Sequence, residues 1–430
     1  MTIIQTSTPG PQGAQGAQGI QGVAGANGAN GATGPQGVPG VGAKWQTGTS
    51  HVGLTATRCK APTNGTVSNT SFMSRSIHKA RGAMTRIKVG FPNWYVSAAN
   101  GGNSFAYAGE VAAGGPATIT ATVEYPLGTI AGRLTFSASN TGTAADFSTL
   151  ESDWLTVSIP DGATFAIREW RNYASTGSVV FSNIVALDAT DGDCFTYGAT
   201  AQTDATGTGG TFAGGDGSSH ARPAYIVSDT TLPSYALIGD SRGEGYGDTG
   251  NGNLDIGWLA RSVGPTRAYT NLSKYGELTD SAAKTGFNHR ASIIRKYCTH
   301  IVSEYGINDI YANSQGADTV LNLLDMIQAK FPDKYFYQTT MMGETGSTDS
   351  WATTTNQTPV DATKDKQRQQ VNNYLRAGLF KFDEFFDAAL GVETGKNTNL
   401  WKAPGYTTDG LHPSATGYAA IASGGYIVVP

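Results

Sequence analysis

The sequence predicts a multidomain chain: a collagen-like triple helix over residues 10–42, an antiparallel β-sandwich of jelly-roll type over 43–227, and an α/β domain with a parallel sheet over 228–430. Three observations predict this order. Glycine recurs at every third position from Gly10 to Gly40, period-two runs broken by turn clusters follow, and from Tyr235 strand-type runs alternate with helix-type runs. At 430 residues the chain is long enough for two or three domains, each with its own core.

Residues 1–9 form a short polar lead, a candidate attachment segment. In the tract that follows, a strict period of three is what a triple helix requires, because only glycine fits the axis where three polyproline-II chains meet. At about 3 Å per residue the tract makes a rod on the order of 100 Å long and demands three chains in register. Only Pro11, Pro35 and Pro39 pre-set its backbone, so contacts in the next region are expected to help hold the trimer. Between Lys44 and Val227, Met84–Val89, Ala117–Val123 and Trp154–Ile159 alternate apolar and polar side chains, as half-buried strands do. Most of Phe91, Trp94, Tyr95, Phe165, Trp170 and Tyr173 are read as sandwich core rather than sugar-stacking rings, since strands favour aromatics. The Gly- and Thr-rich stretch Thr203–Ser219 reads as a long loop or hinge. Beyond it, Tyr235–Ile238, His300–Ser303 and Tyr335–Thr340 read as strands, and Asp280–Lys296, Ala317–Phe331 and Val360–Leu379 as helices. Strands alternating with helices imply a parallel sheet covered on both faces, with chemistry at the C-terminal strand ends.

Composition excludes several function classes. A net charge of −4 offers no field for nucleic acid or an anionic membrane. The three cysteines, Cys59, Cys194 and Cys298, are too widely spaced for a disulfide framework or a zinc site, and no cofactor or metal is expected. No run of 18 apolar residues spans a membrane, and the N-terminus lacks the pattern of a secretory signal, so synthesis in a cytoplasm is expected.

Four segments carry the chemistry: Gly239-Asp240-Ser241-Arg242, Asn271 to Gly276, Gly306-Ile307-Asn308-Asp309, and Asp409-Gly410-Leu411-His412-Pro413. They supply a serine, a backbone N–H, an amide side chain and an Asp/His pair, the parts that acyl transfer needs. In this order they resemble the four blocks of the SGNH (GDSL) hydrolase family, over roughly residues 233–430. Arg242 departs from the leucine usual after that serine, and is expected to leave the wall beside it polar and basic. The resemblance implies a serine esterase with Ser241 as nucleophile, His412 as general base and Asp409 as its orienting partner. It also implies an oxyanion hole made by the N–H groups of Ser241 and Gly276 and the side chain of Asn308. Arg242, Tyr246, Trp258, Trp401 and Tyr406 are the candidate substrate contacts. The polar loop containing Asp248, Asn251, Asn253 and Asp255 lacks calcium-loop spacing.

An esterase domain behind a trimer-forming stalk resembles bacteriophage tail fibres and tailspikes. That resemblance implies a homotrimer in the virion, made in the host cytoplasm, which deacetylates a bacterial surface polysaccharide and is joined to a baseplate or tail protein through its N-terminus. A bacterial carbohydrate esterase outside any virion, and a non-catalytic trimeric adhesin, are the alternatives.

Overall fold

Both faces of the strand Ser234–Ile238 are buried, and its alternate residues enter two separate cores: Tyr235 and Leu237 one, Ala236 and Ile238 the other. Such a strand belongs in the middle of a parallel sheet, and the computed structural model places it there. The structure describes residues 43–66, 69–97, 109–173, 178–212, 219–284 and 286–430, so the lead and the collagen-like tract lie outside the described residues. The parallel sheet has six strands, in the order Cys59–Lys60, Ala268–Asn271, Ser234–Ile238, His300–Ser303, Tyr335–Thr339 and Glu384–Phe386. One face is covered by the helices Asn288–Tyr297, Ala317–Ala329 and Ala362–Arg376, which contribute Ile294, Leu324 and Val371. Gly257–Val263 and Ala415–Ser423 cover the other with Leu259 and Tyr418.

The segment expected as one helix over 280–296 is two helices, Thr279–Lys284 and Asn288–Tyr297. The reason is a carboxylate from far away in sequence. Glu110, on the strand Gly109–Ala112, accepts from the main-chain N–H groups of Asn288, His289 and Arg290 at 2.6–2.9 Å, and so starts a new helix there.

In the N-terminal half, one antiparallel sheet runs His51–Leu54, Tyr225–Thr230, Met84–Pro92, Thr149–Glu151, with Leu155–Ile159 also on Met84–Pro92. A second runs Gly142–Ala144, Ala117–Glu124, Thr164–Tyr173, Ser71–Lys79, Cys194–Gly198, with Ile130–Leu134 also on Ala117–Glu124. Ile87, Val89 and Phe91 of the first meet Ile119, Val123 and Ile167 of the second in one core. Phe91, Trp94, Phe165 and Tyr173 are buried, whereas Tyr95 and Trp170 keep part of their surface.

Two features tie this half to the parallel sheet. Leu54, Tyr225 and Val227 pack in the same cluster as Ala291, Ile294 and Tyr297. The two-residue strand Cys59–Lys60 extends the parallel sheet at the edge of Ala268–Asn271.

Candidate active site

The first motif forms at the C-terminal end of Ser234–Ile238, where a sharp turn leads into the short helix Ser241–Glu244. Asp240 caps this helix: its side chain accepts from the N–H of Arg242 at 3.1 Å. Glu304, directly after the neighbouring strand His300–Ser303, braces the same turn, its carboxyl accepting from the N–H groups of Asp240 and Gly243. That carboxyl lies so close that a Cβ on Gly239 would come within 2.2 Å of it, which is why the turn needs glycine there.

Ser241 Oγ lies 2.8 Å from His412 Nε2, and His412 Nδ1 lies 2.7 Å from Asp409 Oδ2. With Nδ1–H donating to the carboxylate, Nε2 is left to accept from the serine hydroxyl. Asp409 Oδ1 also accepts from the main-chain N–H of Leu411 and of His412, at 2.9 and 2.7 Å. Burial pushes Asp409 up, but the His412 ring and these two N–H groups outweigh it and hold the carboxyl well below the usual range. The loop is pinned by Thr407, whose hydroxyl donates to the His412 carbonyl at 2.8 Å. Ser241 and His412 are only 5% and 7% exposed, so the relay is shielded yet reachable.

The second and third motifs converge on the same strand ends. Lys274 N–H donates to the Gly239 carbonyl at 2.9 Å, and the Asn271 side chain to the Gly243 carbonyl at 2.8 Å. Asn308 Nδ2 donates to the Glu277 carbonyl at 3.0 Å, which holds it beside the Gly276 turn. Asp309 accepts from the N–H groups of Thr279 and Asp280; burial nonetheless pushes its carboxyl up to about 6.

Three of the expected substrate contacts are corrected. Arg242 is not a basic wall: its guanidinium turns inward and donates to the carbonyls of Leu411 and Met342 at 3.1 and 2.8 Å. Trp258 is buried in the core beneath it, 5.9 Å from the Arg242 guanidinium. Trp401 is fully buried, and its Nε1–H donates to the Gly410 carbonyl at 3.0 Å, so it anchors the loop that carries Asp409 and His412. Tyr406 packs against the same core. Tyr246 remains at the surface, 41% exposed, its ring 4.6 Å from that of His412 and 5.0 Å from that of Tyr275. These two tyrosines border a cleft of about 380 Å³, within the range of small-molecule sites. The polar loop is tied to its neighbours, with Asp248 paired to Arg261 on Gly257–Val263 and Asp255 accepting from Tyr269 on Ala268–Asn271.

Sequence reading missed Glu304, Tyr275 and Lys60. Position signalled the first two: Glu304 follows a strand directly and Tyr275 precedes the motif glycine. Nothing local signals Lys60, whose ammonium lies buried 3.1 Å from Glu244.

Residues 237–420 match the GDSL-like Lipase/Acylhydrolase family. Among solved structures, a GDSL-like lipase from Bacteroides thetaiotaomicron is 18% identical with a TM-score of 0.32, the match covering 44% of this chain and 84% of that one. A carbohydrate acetylesterase from Sinorhizobium meliloti is 13% identical with a TM-score of 0.32, covering 45% and 96%. A family 3 carbohydrate esterase from Clostridium thermocellum is 15% identical with a TM-score of 0.31, covering 44% and 92%. A search of curated proteins found no match. The C-terminal region is therefore a GDSL-type lipase/acylhydrolase domain, and the protein is a serine ester hydrolase.

Proposed function

We propose that this chain removes O-acetyl groups from a bacterial surface polysaccharide, capsule or O-antigen, and does so as the trimeric tail fibre of a bacteriophage. The observation that carries the chemistry is the 2.8 Å approach of Ser241 Oγ to His412 Nε2 beside a polar cleft. Ser241 Oγ attacks the acetyl carbonyl and its proton passes to Nε2, while Asp409 holds the other ring N–H and stabilises the imidazolium. The carbonyl electron pair moves to oxygen, and the resulting oxyanion is met by the N–H groups of Ser241 and Gly276 and the Asn308 amide. Collapse breaks the bond to the sugar oxygen, which takes the proton from His412. Water then repeats the sequence on the acetyl-serine, releasing acetate and restoring Ser241.

What supports the fibre reading is the sequence. A phase-locked Gly-X-Y tract needs three chains, and three esterase sites on one stalk add avidity to weak binding of each acetylated sugar. In this reading the two antiparallel sheets are a jelly-roll module between stalk and enzyme, and residues 1–9 meet the tail or baseplate. A carbohydrate esterase outside a virion would share the chemistry, whereas a pure adhesin would have no need of the Ser241–His412–Asp409 geometry.

The test is release of p-nitrophenol from p-nitrophenyl acetate by the wild type and by Ser241→Ala, followed by acetate release from acetylated capsules. Activity lost in the variant is expected. A wild type as silent as the variant on every ester would sink the catalytic reading, and a monomer by light scattering of the intact chain would remove the fibre.

A further inference from the structure

The cleft beside His412 has two walls, from halves of the chain far apart in sequence. Tyr246, Lys274 and Tyr275 come from the serine and oxyanion loops, whereas Asn64, Tyr95 and Asn183 come from the N-terminal half. We infer that this cleft is a composite glycan subsite: the N-terminal wall binds the sugar chain whose acetyl group Ser241 attacks. The inference rests on the carbohydrate reading above and gives the N-terminal half a part in recognition.

The direction of the cleft follows from the chemistry. His412 returns its proton to the departing alkoxide, so the alcohol half of the ester must lie on the imidazole side of Ser241. The cleft adjoins that imidazole, the Tyr246 and Tyr275 rings lying 4.6 and 6.1 Å from the His412 ring. It therefore takes the sugar rather than the acyl group. Its lining suits a polyol: tyrosine rings offer faces for the C–H side of a pyranose and hydroxyls for hydrogen bonds, and the amides of Asn64 and Asn183 both donate and accept.

The two walls are held in fixed relation by one buried lysine. Lys60 Nζ donates to the carbonyl of Ile184, which lines the cleft beside Asn183, at 2.8 Å, and pairs with Glu244 at 3.1 Å. Glu244 in turn accepts from the N–H of Tyr275 at 2.6 Å. On the same wall, the Tyr95 ring lies against Gly65, where a Cβ would come within 2.7 Å of it. The cleft is thus preorganised, and sugar binding need not order either wall.

The test compares Tyr95→Ala, Asn183→Ala and Tyr95→Phe with the wild type on two substrates: p-nitrophenyl acetate, and chemically O-acetylated gluco-, galacto-, manno- and xylo-oligosaccharides. Folding is checked by melting temperature. The alanine variants are expected to lose about tenfold in kcat/KM on the acetylated saccharide, mostly through KM, while p-nitrophenyl acetate turnover stays within about twofold; Tyr95→Phe keeps most of the saccharide activity. Equal losses on both substrates, or none on the saccharide, would overturn the composite subsite while leaving the esterase reading intact. A wild type that cleaves p-nitrophenyl acetate but no acetylated saccharide would overturn the carbohydrate reading, and the subsite with it.

Discussion

The carboxyl of Glu304 and the main-chain N–H of Asp240 are hydrogen-bonded across the C-terminal ends of two adjacent parallel strands. The same oxygen accepts from Gly243, so one side chain spans the turn that presents Ser241. Burial, then the neighbouring Asp240 carboxyl, pushes Glu304 well above the ordinary carboxylate range, and burial raises Asp240 too. Glu304→Gln, which keeps the accepting oxygen for both N–H groups, is expected to fold and turn over p-nitrophenyl acetate within about tenfold of wild type. Glu304→Ala leaves two buried N–H groups unpaired, at a cost of about 3 kcal/mol, and lets the Ser241 turn relax. Melting temperature and kcat together check this; an alanine variant equal to wild type in both would remove the role.

Asn308→Ala is expected to lower kcat about 10²- to 10³-fold with little change in KM, as loss of one oxyanion donor does. Ser241→Ala is expected to abolish turnover. Because the Asn308 amide also donates to Glu277, thermal melting should register a loss of about 1 kcal/mol. Steady-state kinetics on p-nitrophenyl acetate distinguish the two contributions.

Trp401→Phe tests whether this ring anchors a loop or stacks on a sugar. Its Nε1–H holds the Gly410 carbonyl, two residues before His412, so its loss should lower kcat on every ester alike, p-nitrophenyl acetate included. A loss confined to saccharide esters would restore a stacking role. Gly410→Ala should be harsher: the backbone there has φ +74°, and a Cβ would meet the Thr345 carbonyl at 2.0 Å.

Two buried carboxyls give stability opposite dependences on pH. Glu124 lies between Arg75 and Arg168; burial pushes its carboxyl up, but the two guanidiniums and the Gly128 N–H overcome this and hold it down at about 2. Its contribution is present above the unfolded value of about 4.3 and is lost as pH falls toward 2. Asp255 is pushed by burial up to about 6, against donors Tyr269 and Asn251. Its contribution is full below the unfolded value of about 3.9 and is lost as pH rises through 6. In denaturant titrations, Glu124→Gln should cost about 3–5 kcal/mol at pH 7 and flatten the acid limb. Asp255→Asn should compare more favourably with wild type at pH 7 than at pH 4.

The strand and turn around Ser241 are legible because a short apolar run ends in a motif whose contacts are local; so is the Asp409–His412 pair, three residues apart in one loop. What escaped the sequence depends on distant partners. The helix break at Asn288 is made by Glu110, and the inward turn of Arg242 is set by carbonyls at positions 342 and 411. Trp258 and Trp401 looked available because sequence nearness to a motif says nothing about which side of the sheet a ring enters.

The strand Cys59–Lys60 makes the catalytic fold non-modular. A fragment starting near residue 228 would leave the Ala268–Asn271 edge bare and strip Glu244 of its Lys60 partner, exposing unpaired backbone beside a carboxylate that has lost an ion pair. Such a piece should aggregate rather than work as a minimal enzyme. The joint between the halves is thus an obstacle to domain shuffling: a hydrolase region grafted onto another scaffold must bring its N-terminal partner along.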